Sequence, residues 1–430
     1  MRRQRMIFLS LCFSLSVSVS SSAQTAQQDT LRELMRRIDI LAEEIEKSKL
    51  GEVAERKYES RFGLGPAASQ VYQLKKAGVS LAGYGEITYQ NFSQKNENGQ
   101  SSGKTDEIDY LRHIVYVGFK FSDRIVFNSE MEVEHASSGK KGEVSMEFGY
   151  LEAQISSALT VRAGMVLAPV GIINELHEPP TFHGSLRPEV ESAIIPTTWR
   201  VNGFGAVGST TSGWAYRLYL AEGLDATKFS ASGIRSGRQS GSKSLAEDMA
   251  ITGRFDYSGV AGLNLGASFY TGNSGQGLKD ASSQEIGGRV MLWAVHGIFA
   301  QRGWELRGLL AQSTISDIDS LNRVLKFTGN KSIGSKQSGF YLTAAYDILP
   351  IFAKGKSSAL LPFVQYEKLN TQAEVPSGFT TNSANERTNL TYGLTFKPHP
   401  NVAFKADYVS RRNKANTAVD QFNFAVNYLF

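Results

Sequence analysis

Residues 420–430 read DQFNFAVNYLF. Phe422, Phe424, Val426, Tyr428 and Phe430 fall on one face of an extended strand; Gln421, Asn423, Ala425 and Asn427 fall on the other. One face is thus apolar and aromatic, the other polar or small. Five aromatic or aliphatic side chains on one face of a terminal strand have nothing to bury them in water. Hydrocarbon, with an aromatic belt at its edge, would take them.

The two-residue period recurs from Val79 onward. Val79, Leu81, Ile87 and Tyr89 alternate with Ala82, Tyr84, Glu86 and Thr88; Ile125, Phe127, Met131 and Val133 alternate with Asn128, Glu130, Glu132 and Glu134. The pattern yields about sixteen segments, an even number in the range of closed bacterial barrels. Short links (near 122–123, 156–157, 211–212, 259–260, 301–303 and 399–400) take turns with long ones. A soluble sandwich has no reason to alternate its loop lengths so regularly. The expected fold is all-β, an antiparallel transmembrane β-barrel of about 16 strands with a short N-terminal α-helical coiled coil.

Upstream, Arg2, Arg3 and Arg5 precede an apolar run from Ile7 to Val19 and the small residues Ser21-Ser22-Ala23, so residues 1–23 read as a cleaved signal peptide. Cys12 follows Leu11 rather than a small residue, which disfavours lipidation. It is the only cysteine of 430 residues, so the mature chain has no thiol for a disulfide, a metal site or catalysis. The signal removes three arginines from 46 basic residues against 41 acidic, leaving a net charge of +2, and no nucleic-acid partner is expected. Residues 24–50 carry heptad positions Leu31, Leu34, Ile38, Leu41 and Ile45 between charges, a short coiled-coil helix expected to join protomers into a homotrimer. Residues 51–78 read as a linker and 79–430 as the barrel.

A charge facing lipid at mid-bilayer costs roughly 2–4 kcal/mol, so charged strand residues must face the lumen. The acids Glu86, Glu130, Glu132 and Glu134 and the bases Arg162, Arg217, Arg254, Arg289 and Arg307 are therefore the expected pore lining. With about sixteen strands the bore is too wide for side chains to fill. The stretch 167–198, LAPVGIINELHEPPTFHGSLRPEVESAIIPTT, holds Pro169, Pro179, Pro180, Pro188 and Pro196, which forbid a regular strand or an unbroken helix. It also holds Ile172, Ile173, Leu176, Phe182, Ile194 and Ile195, which favour packing over exposure. The expectation is a constriction loop folded into the lumen, with Glu175, Glu178, Glu189 and Glu191 facing the arginines across the bore and Arg187 as its one base. Charges in the 223–246 loop are expected to sit outside and be screened.

His177-Glu178 lacks a second histidine one helical turn on, and Pro179-Pro180 break the helix, so no metal site is expected there and no cofactor. A barrel enzyme using Ser129, His113, His135 and Asp109 is the minor alternative to a channel.

The whole plan resembles a Gram-negative trimeric porin. The run from Tyr150-Leu151-Glu152 through Val161-Arg162-Ala163-Gly164 to Pro169-Val170-Gly171 resembles the phosphate-selective porin O and P family, and the terminal aromatic strand resembles the insertion signal of outer-membrane barrels. The resemblance implies a bacterial outer-membrane location, contact with membrane lipid and lipopolysaccharide, and phosphate as the solute. The loop's four glutamates against Arg187 depart from a phosphate filter, which needs converging bases. The reading from the residues is passive diffusion of small hydrophilic solutes and ions, with no enzymatic activity.

Overall fold

The computed structural model describes residues 60–430 except 140 and 354–356, together with Glu33, Arg36 and Arg37. Those three are helical, with Arg37 Nε 3.2 Å from Glu33 Oε1. The rest of the expected signal peptide and coiled coil, and the linker up to 59, lie outside the described residues.

Sixteen antiparallel strands close on themselves. They are β1 Gly78–Phe92, β2 Glu107–Lys120, β3 Ile125–Glu134, β4 Val144–Gln154, β5 Thr160–Leu167, β6 Arg200–Ser209, β7 Trp214–Glu222 and β8 Met249–Val260. There follow β9 Leu263–Gly272, β10 Val290–Gln301, β11 Trp304–Ile315, β12 Lys336–Tyr346, β13 Ala359–Glu374, β14 Glu386–His399, β15 Val402–Asn413 and β16 Gln421–Leu429. Every strand pairs with its sequence neighbours, and β1 pairs with β16 from Tyr84 opposite Leu429 to Phe92 opposite Gln421. Closure removes the unpaired backbone edges that neither lipid nor water-poor surroundings tolerate.

The alternation fixes which face is which. Along β16, Gln421, Asn423, Ala425 and Asn427 are buried inside, while Phe422, Phe424 and Phe430 are exposed outside. The outer surface is apolar around the ring, with Leu218, Leu220, Ile251, Leu310, Leu342, Val364, Leu390 and Leu394 exposed. Aromatic pairs at the short-turn end, Trp214 with Tyr257 and Trp304 with Tyr346, have ring centroids 4.9 Å apart. Their register places each pair across neighbouring strands, one arc of an aromatic belt at that end of the barrel.

The seam has a steric requirement. A Cβ on Gly83 would stand 2.3 Å from the Ile114 carbonyl oxygen and 2.6 Å from the Phe430 ring. Gly83 and Phe430 exchange both backbone hydrogen bonds at 2.9 Å, so the terminal residue completes the ladder and its ring covers the glycine.

The apolar core is inside the barrel rather than between layers. Ile172, Ile173, Val190, Ile194, Ile195 and Trp199 of the long loop are buried there, with Trp199 against Tyr270 at 4.6 Å between ring centroids. The second filler is the stretch expected as a linker. Leu64, Ala67, Ala68 and Val71 are buried, residues Gln70–Gln73 form a short 3₁₀ helix, and Asn128 of β3 donates to the Ala68 carbonyl at 2.8 Å. A bore too wide for wall side chains is filled here by main chain.

Candidate pore constriction

The loop between β5 and β6 folds inward because its own polar groups find partners on the walls. Glu191, fully buried in a one-turn helix Val190–Ala193, accepts the Ile172 and Ile173 N–H groups at 3.0 and 2.8 Å and the Tyr341 hydroxyl at 2.6 Å. Glu178 accepts the N–H groups of Ala67 and Ala68 at 3.1 and 2.9 Å. Glu175 pairs with Arg217 of β7 at 3.0 Å and lies 3.7 Å from Arg254 of β8. Glu189 pairs with Arg387 of β14 and, at 3.1 Å, with Arg411 of β15. Ser185 N–H donates to Asp407 at 2.7 Å, and Lys405 Nζ donates to the Pro179 and Gly184 carbonyls at 2.7 and 3.0 Å.

These contacts correct the expected arrangement of opposed charge rows. Glu175 and Glu189 meet arginines directly, and Glu178 and Glu191 are held by neutral donors. Arg217 and Arg254 both hold Asp256, and Arg254 also reaches the Gly171 carbonyl. Arg162, 2% exposed, is held by Glu152 at 2.9 Å and by the hydroxyls of Tyr219 and Tyr72. Arg307 donates to the Thr181 carbonyl. Arg289 departs furthest from the expectation. It precedes β10, is exposed on the outward parity, and donates to Thr271 at 3.3 Å.

On the acidic wall, Arg112 bridges Glu86 at 3.1 Å and Glu132 at 3.6 Å. Glu130 meets His177 at 2.9 Å, and Glu134 is half-buried at the end of β3. The enzymatic alternative is not assembled. His135 Nδ1 lies 2.6 Å from Asp109, but the Ser129 hydroxyl donates to the Val117 carbonyl at 2.8 Å. Six residues separate Ser129 from His135, about 20 Å at 3.3 Å per residue. His113, on the outward parity of β2, stacks on Phe430.

With its four acids engaged, the loop presents a basic face. Arg187 donates to the Thr198 hydroxyl at 2.9 Å, and its Nη2 is buried without a hydrogen-bond partner among the described residues. Two bases missed in the sequence join it. Arg235 and Arg238, from the 223–248 connection, donate to the carbonyls of Thr197 and Thr198 and, from Arg238, to Pro196 at 3.2 Å. None of the three pairs with a carboxylate among the described residues. Burial, then neighbouring Arg238, Arg187 and Arg112, pull Arg235 below the ordinary guanidinium range. A guanidinium does not lose its proton at ordinary pH, so these three side chains stay charged. Beside Arg187 lies a cavity of about 310 Å³, lined also by Glu189, Gln365, Thr391, Asp407 and Arg411.

An uncharacterized protein of Aquifex aeolicus (strain VF5) is 39% identical to this chain over 384 residues, covering 87% of this chain and 84% of its own length. The chain belongs to that protein's family. No family model matches it, so the likeness to the porin O and P family has no model behind it. The chain shares a fold with solved porins at low identity. OmpF of Salmonella typhi, in complex with daunomycin, aligns at 13% identity over 83% of this chain and 98% of its own, with a TM-score of 0.54. The anion-selective porin of Comamonas acidovorans aligns at 13% identity over 83% and 100%, with a TM-score of 0.52. The outer membrane channel DcaP of Acinetobacter baumannii aligns at 12% identity over 83% and 98%, with a TM-score of 0.50. At such identities the likeness is one of fold, the sixteen-stranded porin barrel.

Arg235 and Arg238 gave a weak signal in this family member's sequence. The stretch from Ile234 to Arg238 places two arginines three apart after the buried Ile234. Nothing else in the pattern separates this stretch from an exposed loop.

Proposed function

We propose that this chain is a porin of the bacterial outer membrane, passing small hydrophilic solutes and ions by passive diffusion with a preference for anions. The observation that carries the reading is the trio Arg187, Arg235 and Arg238, bonded to neutral oxygens alone while every loop glutamate has its own donors. Fixed cations at a narrow, low-dielectric passage raise the local anion concentration and oppose cations. The sixteen-strand fold and the apolar outer surface support the membrane location, with lipid and lipopolysaccharide around the barrel. Phosphate is the narrower reading, from the stretch resembling the porin O and P family. Planar guanidiniums suit its oxygens.

The heptads between Leu31 and Ile45 support a homotrimer held by a parallel coiled coil. Leu34→Asp with Leu41→Asp is expected to weaken cross-linked trimers while the barrel keeps its heat-modifiable migration.

The deciding experiment is the reversal potential of the purified protein in a planar bilayer under a salt gradient. The parent is expected to favour anions, and the triple variant Arg187→Gln, Arg235→Gln, Arg238→Gln to shift toward cations. Phosphate added to a chloride bath is expected to reduce the parent's current more than the variant's. A barrel that carries no current overturns the channel reading. An unchanged reversal potential in the variant places the arginines outside the ion path.

A further inference from the structure

His177 is the residue the channel reading leaves unused, and its surroundings are unusual. Its Nδ1 faces the Asn174 carbonyl at 3.0 Å, which makes Nδ1 the donor and turns the other nitrogen toward the wall. Nε2 then meets Glu130 Oε1 at 2.9 Å and Glu147 Oε2 at 3.5 Å. A neutral imidazole so oriented would aim a lone pair at two carboxylates.

The two glutamates are brought together by a backbone irregularity. The β3–β4 register shifts between Glu130 and Met131, so Phe148 pairs with Glu130, Met146 with Met131, and Glu147 is the extra residue. Both Glu147 and Phe148 are consequently buried, although adjacent strand residues ordinarily face opposite ways. The bulge has turned a second carboxylate toward the first.

The charges nearby do not satisfy the group. Arg200 occupies Glu147 Oε1 at 3.2 Å, and Arg112 is engaged by Glu86 and Glu132. Glu130 Oε2 and Glu147 Oε2 are buried with no hydrogen-bond donor among the described residues. Two buried carboxylates that converge on one imidazole nitrogen, each with an oxygen that no donor serves, make the donor set of a cation site. The candidate ligand atoms of Glu130, Glu147 and His177 all lie within 4.8 Å of one another. Bonds of about 2.0–2.2 Å in a tetrahedral shell set ligand atoms roughly 3.3 Å apart, and the 2.9 and 3.5 Å separations bracket that value. A ligating histidine usually has its far nitrogen held by a carbonyl or carboxylate in this way, which fixes the ring.

We propose that Glu130, Glu147 and His177 bind one divalent transition-metal ion of the zinc class, and that the ion pins the constriction loop to the wall formed by β3 and β4. One imidazole and two carboxylates supply three ligands and leave a fourth position for water. Two ligands come from the wall and one from the loop, so the ion crosslinks the two.

The test is zinc uptake by the full-length mature protein in detergent, stripped with chelator and then dialysed against zinc sulfate, read by elemental analysis. One zinc per chain is expected, and cobalt in its place should give visible absorption bands of a four- or five-coordinate ion. His177→Ala and Glu130→Gln should each weaken zinc binding about tenfold or more, while Glu189→Gln leaves it unchanged. Heat-modifiable migration checks that each variant is folded. If His177→Ala fails that check, Glu147→Gln takes its place. A parent that retains no stoichiometric zinc, or folded Glu130 and His177 variants that bind as the parent does, overturns the proposal.

Discussion

Glu178 accepts the Ala68 N–H at 2.9 Å, tying the inward loop to a segment 110 residues earlier in the chain. The two fillers of the lumen therefore hold each other. Replacing Glu178 with Ala leaves two buried N–H groups without an acceptor, at a cost of about 1–3 kcal/mol each. The barrel has its own closed ladder and should stay folded. The expected result is at least about tenfold faster amide exchange over 64–72, with exchange in β10–β12 unchanged, measured by hydrogen exchange with mass spectrometry.

Glu191 serves three donors at once, two from the start of its own loop and one from Tyr341. Glu191→Ala should loosen the whole 168–199 connection, because no neighbouring group can replace a triple acceptor. Single-channel recordings are expected to show larger and noisier conductance. Glu191→Gln keeps one acceptor oxygen and should fall between the two.

Acid should act on Glu189 later than on an ordinary glutamate. Burial would raise its pKa, but Arg387 and Arg411 outweigh burial and hold the carboxyl below the usual range. A depressed native pKa stabilises the ionised, seated loop above the unfolded value of about 4.3 and loses that contribution only as pH falls through the lower native value. Conductance attributable to this staple should be flat from neutral pH to about 4.3 and change below it. Glu189→Gln should show no such acid step, and should favour anions more at neutral pH because two guanidiniums are released.

Two glycines at the seam separate backbone clash from side-chain clash. A Cβ at Gly83 meets a carbonyl oxygen at 2.3 Å, whereas at Gly85 it meets the far end of the Tyr428 side chain. Gly83→Ala should lower the temperature at which the barrel unfolds in detergent by several degrees, since about 1 kcal/mol already moves a domain by 2–4 °C. Gly85→Ala should do less, because the Tyr428 ring can swing aside. Equal losses would mean that the terminal strand tolerates no adjustment at either site.

Much of this architecture was legible in the chain. The period-two segments gave the strands, and the taking of turns between short and long links gave closure, because both follow from local backbone geometry and from one lipid-facing side. The inward loop was legible from prolines that forbid regular structure beside isoleucines that avoid water. Its electrostatics were not. Glu175 and Arg254 are 79 residues apart, and only the assembled barrel decides whether they touch or face each other. Residues 61–74 carry small residues and no periodicity, and a segment stabilised by donors on distant strands leaves no such trace. The bulge that turns Glu147 inward shifts the alternation by one residue, which single-strand periodicity registers as noise.

The anchors of the constriction loop also set an order in time. Ser185 depends on Asp407, 222 residues later, and the Pro179 carbonyl on Lys405, 226 residues later. Contacts so distant in sequence are among the later ones for which loop-closure entropy is repaid. The loop can take its final seat only after β15 has joined the sheet. Until β15 is in place these two anchors do not exist, so the bore of a forming barrel stays wider than that of the finished one.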